Sequence, residues 1–160
     1  MKRVLLLSDA KQAYTQSLLG GKKTWVRLPE EVWPEHWHGK YTDPVCPLRL
    51  ALFGLPDLGG YWEKHCEEHL LAQGFEPIKP WRSCYFHKKW QLFLVVYVDD
   101  MKLSGPKEHM QQTWKDLGRK IKLETPKGDS HDESEDWSSQ MTFLGCTLRR
   151  KKQVIRGKEV

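Results

Sequence analysis

The chain has 160 residues, 39% of them hydrophobic, and carries 26 Lys and Arg against 21 Asp and Glu, a net charge of +5. That length suits one domain that buries about two-thirds of its unfolded surface, so the chain does not need disulfide bonds or a structural metal to fold. It contains no apolar run of about 18 residues and no secretory signal peptide, which argues against a membrane partner and for a cytoplasmic or nuclear protein that is not secreted.

The four cysteines are widely spaced and form no C-x-x-C pair. This spacing argues against a zinc ribbon and against a disulfide framework. We therefore expect free thiols in a reducing compartment.

The charge is unevenly spread along the chain. Residues 129–136, with the sequence DSHDESED, hold five acids and no Lys or Arg. We predict an acidic flexible loop over residues 126–140, which is also the best candidate for a linker. The rest of the chain is strongly basic, which suits a phosphate-rich partner and equally suits an ordinary solvated surface.

The first half of the chain predicts two strands and a helix. Val4 to Leu7 indicate a buried strand that ends at Asp9, and Thr24 to Leu28 indicate a short strand before an irregular connection rich in Pro and Trp. A helix is expected after Asp57, its N-cap, with a stop at Gly74. Its apolar residues recur at steps of four: Leu58, Trp62, Cys66 and Leu70.

The second half predicts further strands around a second helix. The runs SCYFHKK and QLFLVVYVDD suggest a hairpin or adjacent strands, and MKLSG resumes a strand after the two aspartates. Pro106 suits the first turn of a helix, in which Met110, Trp114, Leu117 and Ile121 recur on one face. The chain is expected to end as an antiparallel pair that turns near residues 151–153. The whole order predicts an α+β fold with helices packed on one face of a mainly antiparallel sheet.

Two adjacent carboxylates, Asp99 and Asp100, close the most apolar run of the sequence, LFLVVYVDD. Like charges repel, and burying an ion without a partner costs several kcal/mol, so a cation is expected at this point. A solvated hairpin that needs no cation is the simpler alternative.

Four fragments carry a family resemblance: DAKQAY, ALFGLPDLGGYW, LVVYVDDMKLSG and FLGCTL. Their order and separations resemble the reverse transcriptase of copia-type retrotransposons, from about Leu5 to Leu148. Each fragment alone is a weak signal, but four in order are a strong one. The resemblance implies a right-hand polymerase palm with RNA-directed DNA polymerase activity, normally part of a larger Pol polyprotein.

The resemblance also implies a two-metal centre that joins dNTPs to a primer on an RNA or DNA template. Asp9 and Asp99 would ligate two Mg²⁺ or Mn²⁺ ions, Ala10 would offer its carbonyl oxygen, and Asp100 would support a metal or the primer end. The simpler alternative for Asp9 is a residue that caps a turn.

Nucleotide and primer contacts follow from the same resemblance. Tyr14 matches the aromatic gate that rejects a ribose 2′-hydroxyl; the simpler alternative is a core residue. Gln12 and Ala13 would present backbone N–H groups to the triphosphate. Tyr97 and Val98 would contact the primer and template.

The sequence departs from the family at two positions near the expected triphosphate. Asp57 stands where the family has Gln, and Gly60 stands where the family has Arg. An added negative charge and a lost cation both disfavour triphosphate binding.

Residues 1–160 are expected to form one palm domain, and the resemblance implies that the upstream fingers segment, the thumb and ribonuclease H lie outside them. Positioning is the main catalytic contribution in phosphoryl transfer, so we expect poor activity from the chain by itself.

Two alternatives come from other functional classes. One is a non-catalytic nucleic-acid-binding remnant of a decayed mobile element, which would use the basic surface and the tryptophans for stacking. Those residues are Trp25, Trp33, Trp37 and Trp90. The other is a zinc module, whose spacing matches no usual pattern. Its ligands would be His36, His38, Cys46, His65 and Cys66.

Overall fold

The structure is a computed structural model that describes residues 3–128, 141–148, 154–155 and 158–159. It is a mixed α+β fold with two helices and a mainly antiparallel sheet, which confirms the predicted class at that level. Most of the predicted acidic loop, residues 129–140, lies outside the described residues.

The elements follow one another in this order. The strands are β1 (Arg3–Asp9), β2 (Trp25–Arg27), β3 (Val45–Pro47), β4 (Glu76–Pro77), β5 (Cys84–His87), β6 (Leu92–Tyr97), β7 (Asp100–Pro106), β8 (Lys127–Gly128), β9 (Met141–Phe143), β10 (Cys146–Leu148), β11 (Val154–Ile155) and β12 (Lys158–Glu159). The helices are α1 (Leu58–Ala72) and α2 (Lys107–Leu117), and three 3₁₀ turns cover Ala13–Gln16, Glu30–Val32 and Glu35–Trp37.

The chain divides into two compact units. Unit 1 comprises Met1–Lys11 and Glu67–Val160, and unit 2 comprises Gln12–Cys66. The assignment of residues 1–160 to one palm domain stays a prediction.

Unit 1 contains a six-stranded antiparallel sheet in the order β4-β5-β6-β7-β1-β8. In its centre Leu94 pairs with Leu103, and Leu103 pairs with Leu6, so these three side chains share one face. Leu94 and Leu103 are fully buried, and α2 contacts β7 and β1. Because side chains alternate along a strand, the opposite face carries Val95 and Lys102 and then, at the sheet end, the aspartates.

Both helices form where the apolar periodicity predicts them, except that α2 ends at Leu117, so Ile121, predicted on its apolar face, lies beyond the helix and is buried there. Leu70 of α1 and Leu117 of α2 are each fully buried. Helix α1 ends at Ala72, two residues before Gly74, which has a φ of 86° and donates its N–H to the Leu71 carbonyl at 3.0 Å. A left-handed glycine of this kind is the usual helix stop. Helix α2 starts at Lys107; Pro106, predicted in its first turn, is instead its N-cap and the last residue of β7.

The end of the chain differs from the prediction of one pair that turns near residues 151–153. Strand β9 pairs with β10, and β11 pairs with β12, while the predicted turn lies outside the described residues. The β9–β10 hairpin turns at Leu144 and Gly145, whose φ angles are 51° and 74°. Two successive left-handed residues make the tight turn that suits the twist of a hairpin, and Gly145 was the signal for it.

Unit 2 is built from short pieces. Strand β2 pairs with β3 in antiparallel register, and the N–H of Ala51 donates to the Ser17 carbonyl at 3.0 Å. Pro29 and Pro34 each precede a 3₁₀ turn with extended backbone angles, which explains the irregular connection predicted there. Among the described residues, no helix is both long and apolar enough to cross a membrane.

Candidate functional site

The end of the unit 1 sheet brings two distant aspartates face to face. In the antiparallel register of β1 and β7, Asp9 lies directly opposite Asp100, and Tyr97 of β6 lies opposite Asp100 on its other side. Residues directly opposite in a sheet point to the same face. The register therefore places Asp9, Asp100 and Tyr97 in one row at the sheet end.

Asp99 joins this row through the turn between β6 and β7. Because Tyr97 pairs with Asp100, the turn consists of only Val98 and Asp99. The N–H of Ala10 donates to the Asp99 carbonyl at 2.8 Å, which ties the turn to the residue after Asp9. The three aspartates thus lie at neighbouring points of the backbone, although Asp9 precedes Asp99 by 90 residues in the sequence.

The carboxylates interact electrostatically. The pKa of Asp100 is raised, first by burial, then by the charge of Asp9, by a hydrogen bond with the Asp9 carboxyl group and by the charge of Asp99. None of the ion pairs found among the described residues involves these three side chains. The cation expected from the sequence is therefore not a neighbouring Lys or Arg in that part of the chain.

The donor set fits a hard divalent cation. Carboxylate oxygens are the ligands that Mg²⁺ prefers, and Asp9 and Asp99 are exposed to solvent. In residues 3–128 and the other described segments, however, no three His, Cys, Asp or Glu side chains are arranged so that they could hold a metal ion.

A segment that sequence reasoning missed supports the Asp9 strand from its other side. The backbone N–H of Glu124 donates to the Asp9 carbonyl at 2.8 Å, and the backbone carbonyl of Glu124 accepts a hydrogen bond from the Ser8 hydroxyl at 2.8 Å. Ala10 forms an antiparallel β-bridge with Leu123. The Asp9 carbonyl is thereby occupied. A bridge of single residues has no periodicity, so the sequence held no signal for it.

The predicted triphosphate contacts lie in unit 2. Gln12 has left-handed backbone angles, φ 50° and ψ 48°, and starts the 3₁₀ turn Ala13–Gln16; its carbonyl accepts the Thr15 N–H at 2.9 Å. N–H groups at the start of a helical turn have no acceptor within it.

The predicted gate residue Tyr14 is half-buried in unit 2. Its ring meets the ring of Phe53 edge-on, with centroids 5.2 Å apart and an interplanar angle of 85°. Phe53 is itself 66% exposed, so the pair forms an aromatic surface feature of unit 2.

Asp57 occupies the position before α1. Its carbonyl accepts the Tyr61 N–H at 3.1 Å, as an N-cap carbonyl does, but its φ of 59° is left-handed, unlike the extended backbone usual at that position. Asp57 is exposed, and so are Gly59 and Gly60 in the first turn of α1.

Tyr97 and Val98, predicted to contact primer and template, are 58% and 38% exposed at the turn that carries Asp99. Val98 has a φ of 53°, a left-handed angle that a β-branched residue rarely adopts. Strain of this kind persists where the surrounding structure fixes the backbone, here through the Ala10 to Asp99 hydrogen bond.

Comparison with known proteins found no matching protein-family model, curated protein or solved structure.

Proposed function

We propose that this chain is the palm of a copia-type reverse transcriptase, which joins dNTPs to a primer on an RNA or DNA template by two-metal chemistry. One observation supports this most: the β1–β7 register sets Asp9 opposite Asp100 while Asp99 lies in the adjoining turn. The four sequence fragments of the family supply the second, independent support.

Asp9 and Asp99 would hold the metals, with Asp100 beside them. When bound, two divalent cations activate the primer hydroxyl and neutralise the triphosphate. A bound cation would offset the repulsion among the carboxylates, which helps to raise the pKa of Asp100. The register of β1 and β7 sets Asp9 opposite Asp100, and side-chain rotation would have to bring the ligand oxygens together.

The remaining partners follow from this role. Tyr97 and Val98 would contact the template-primer, Tyr14 would select against ribose, and Gln12 and Ala13 would meet the triphosphate. The chain would act as part of a Pol polyprotein. Asp57 adds a charge that repels a triphosphate, so we expect weak affinity for dNTPs.

Primer extension tests the proposal. The assay uses an RNA template, a labelled DNA primer, dNTPs and Mg²⁺ or Mn²⁺, with wild type beside Asp99→Asn. We expect slow, metal-dependent extension by the wild type that Asp99→Asn abolishes. Extension that survives Asp99→Asn would contradict the proposed site, because the reaction would then not depend on that carboxylate.

A non-catalytic nucleic-acid-binding remnant is the second candidate, favoured by an aromatic cluster in unit 2. The ring centroids of Trp33 and Trp37 lie 6.5 Å apart, and those of Trp37 and Tyr41 lie 5.9 Å apart. The Lys40 amine lies 5.4 Å from the Tyr41 ring centroid. Rings beside a cation suit stacked bases and phosphate. Retained template binding without any extension would favour this candidate.

The other tryptophans of that alternative differ in exposure. Trp25 is 55% exposed, whereas Trp90 is half-buried and stacks on His87 and on His109, with ring-centroid distances of 4.5 and 5.5 Å. Two stacked neighbours leave less of the Trp90 ring for a base.

A further inference from the structure

A lysine-lined groove lies in unit 1, apart from the carboxylates. It has a volume of about 1200 Å³ and is formed by α2, by β1 and β8, and by the segment that joins α2 to β8. Five exposed lysines line this lysine groove, with two glutamates. The lysines are Lys11, Lys107, Lys115, Lys122 and Lys127, and the glutamates are Glu108 and Glu124.

The inner wall of the lysine groove is apolar. Val4 and Leu6 contribute from the sheet, and Met110 and Trp114 contribute from α2. Val4, Met110 and Trp114 are almost completely buried, so the charged groups stand at the rim above a packed wall. A ligand for such a groove is anionic along its length and has apolar parts between its charges.

Trp114 lines the lysine groove and carries a buried hydrogen-bond donor. Its indole Nε1–H is buried and has no hydrogen-bond partner among the described residues, although the residue is 5% exposed and lines the groove. Buried donors in native proteins nearly always have a partner, so an unpaired one in a groove wall is notable.

The lysine groove and the aspartates lie on opposite faces of the sheet, because Val4 and Leu6 alternate with Asp9 along β1. The N–H of Lys11 donates to the Lys122 carbonyl at 2.8 Å, which joins the backbone of two of the lining residues. A polymer in the groove would therefore occupy a site separate from the carboxylates.

We propose that the lysine groove binds single-stranded nucleic acid through its phosphates, as a second contact outside the carboxylate centre. Each phosphate that meets a lysine releases counterions, and bases supply the apolar parts between the charges. This inference rests on the proposed function for its partner class, but the binding needs neither a metal nor Asp99.

Fluorescence anisotropy with a labelled twelve-nucleotide thymidylate strand, in EDTA, tests the proposal. The variant is Lys115→Gln/Lys127→Gln, because none of the ion pairs among the described residues involves either lysine. The control is Lys79→Gln/Lys89→Gln, which removes the same charge from exposed positions outside the groove.

We expect the groove variant to bind about 25-fold more weakly at 0.1 M salt, and its log-log salt slope to fall by about 1.4, since each single-strand phosphate contact contributes a slope of about 0.7. The control should keep the wild-type affinity within about twofold. Circular dichroism verifies that both variants are folded.

Three results would overturn the proposal. One is equal weakening by the groove variant and the control, which would show unspecific attraction by net charge. Another is loss of binding in Trp33→Ala/Trp37→Ala with the groove variant unaffected, which would move the contact to unit 2. The third is displacement of the strand by an equal concentration of twelve-residue polyglutamate, which would indicate an acidic protein as the partner.

The test also separates this inference from the proposed catalysis. Groove-dependent binding without primer extension would uphold the lysine groove and count against the polymerase function. Extension with unchanged binding in the groove variant would do the reverse.

Discussion

Asp100→Asn should stabilise the protein at neutral pH, because Asp100 and Asp9 are like charges placed directly opposite each other. Burial and both neighbouring aspartates raise the pKa of Asp100, so its ionisation is opposed in the folded state. Like-charge pairs in this position cost on the order of 0.2–1 kcal/mol. We expect the free energy of unfolding to rise by about 0.5 kcal/mol, near the middle of that range.

The effect of Asp100→Asn on stability should depend on pH. When the pKa of a carboxyl group is higher in the folded than in the unfolded protein, the protein loses stability as the pH rises from the unfolded pKa toward the folded pKa. The destabilisation by ionised Asp100 is therefore fully present at pH 7 and disappears below the ordinary carboxyl pKa of 3.8. The gain from Asp100→Asn should be present at pH 7 and vanish at acid pH.

Urea unfolding in EDTA, followed by far-UV circular dichroism, measures this gain. The matched control is Asp116→Asn, which removes a carboxylate that pairs with Arg119 at 3.2 Å and accepts from Gln112 at 2.8 Å. The control should be neutral or slightly destabilising. The reasoning fails if Asp100→Asn destabilises the protein at pH 7, or if its gain is the same at pH 7 and at acid pH.

Three further stability predictions use the same urea assay. Val98→Gly should raise the free energy of unfolding by about 1 kcal/mol, because glycine adopts the left-handed backbone without the steric strain of a side chain. A loss of stability would show that the turn is not strained. Gly60→Ala should raise the free energy of unfolding by about 0.5–1 kcal/mol, because nothing surrounds its Cβ position in α1. Gly74→Ala should lower it by about 1 kcal/mol or more, because its φ is 86° and a Cβ would lie 3.0 Å from the His87 Nε2. Equal effects at both glycines would contradict this reasoning. Leu103→Ala should cost about 2–5 kcal/mol, because Leu103 is fully buried in the sheet centre, and a cost below 1 kcal/mol would contradict that packing.

The helices and central strands were predictable because burial imposes a period. Leu70 and Leu117 fall on apolar stripes of helical spacing, and Leu92, Leu94 and Val96 alternate with less buried residues in β6. Each of these patterns is local, so one sequence suffices to find it.

Pairing between distant segments was harder to predict. Nothing in the residues of β1 alone sets Asp9 opposite Asp100, and the expectation of that neighbourhood came from the family resemblance. The Ala10–Leu123 bridge and the two-residue strand β8 were missed because elements of one or two residues carry no period. The lysine groove was also invisible, since its lysines come from several separate segments.

The measurement that tests the central claim most directly is a Mn²⁺ titration followed by electron paramagnetic resonance, in which the free ion gives the signal. Wild type is compared with Asp9→Asn, Asp99→Asn and the control Asp116→Asn. The account predicts that wild type and control bind Mn²⁺ equally and that both site variants lose at least tenfold in affinity. Unchanged Mn²⁺ binding in Asp9→Asn and Asp99→Asn would show that the carboxylates at this sheet end do not form a metal centre.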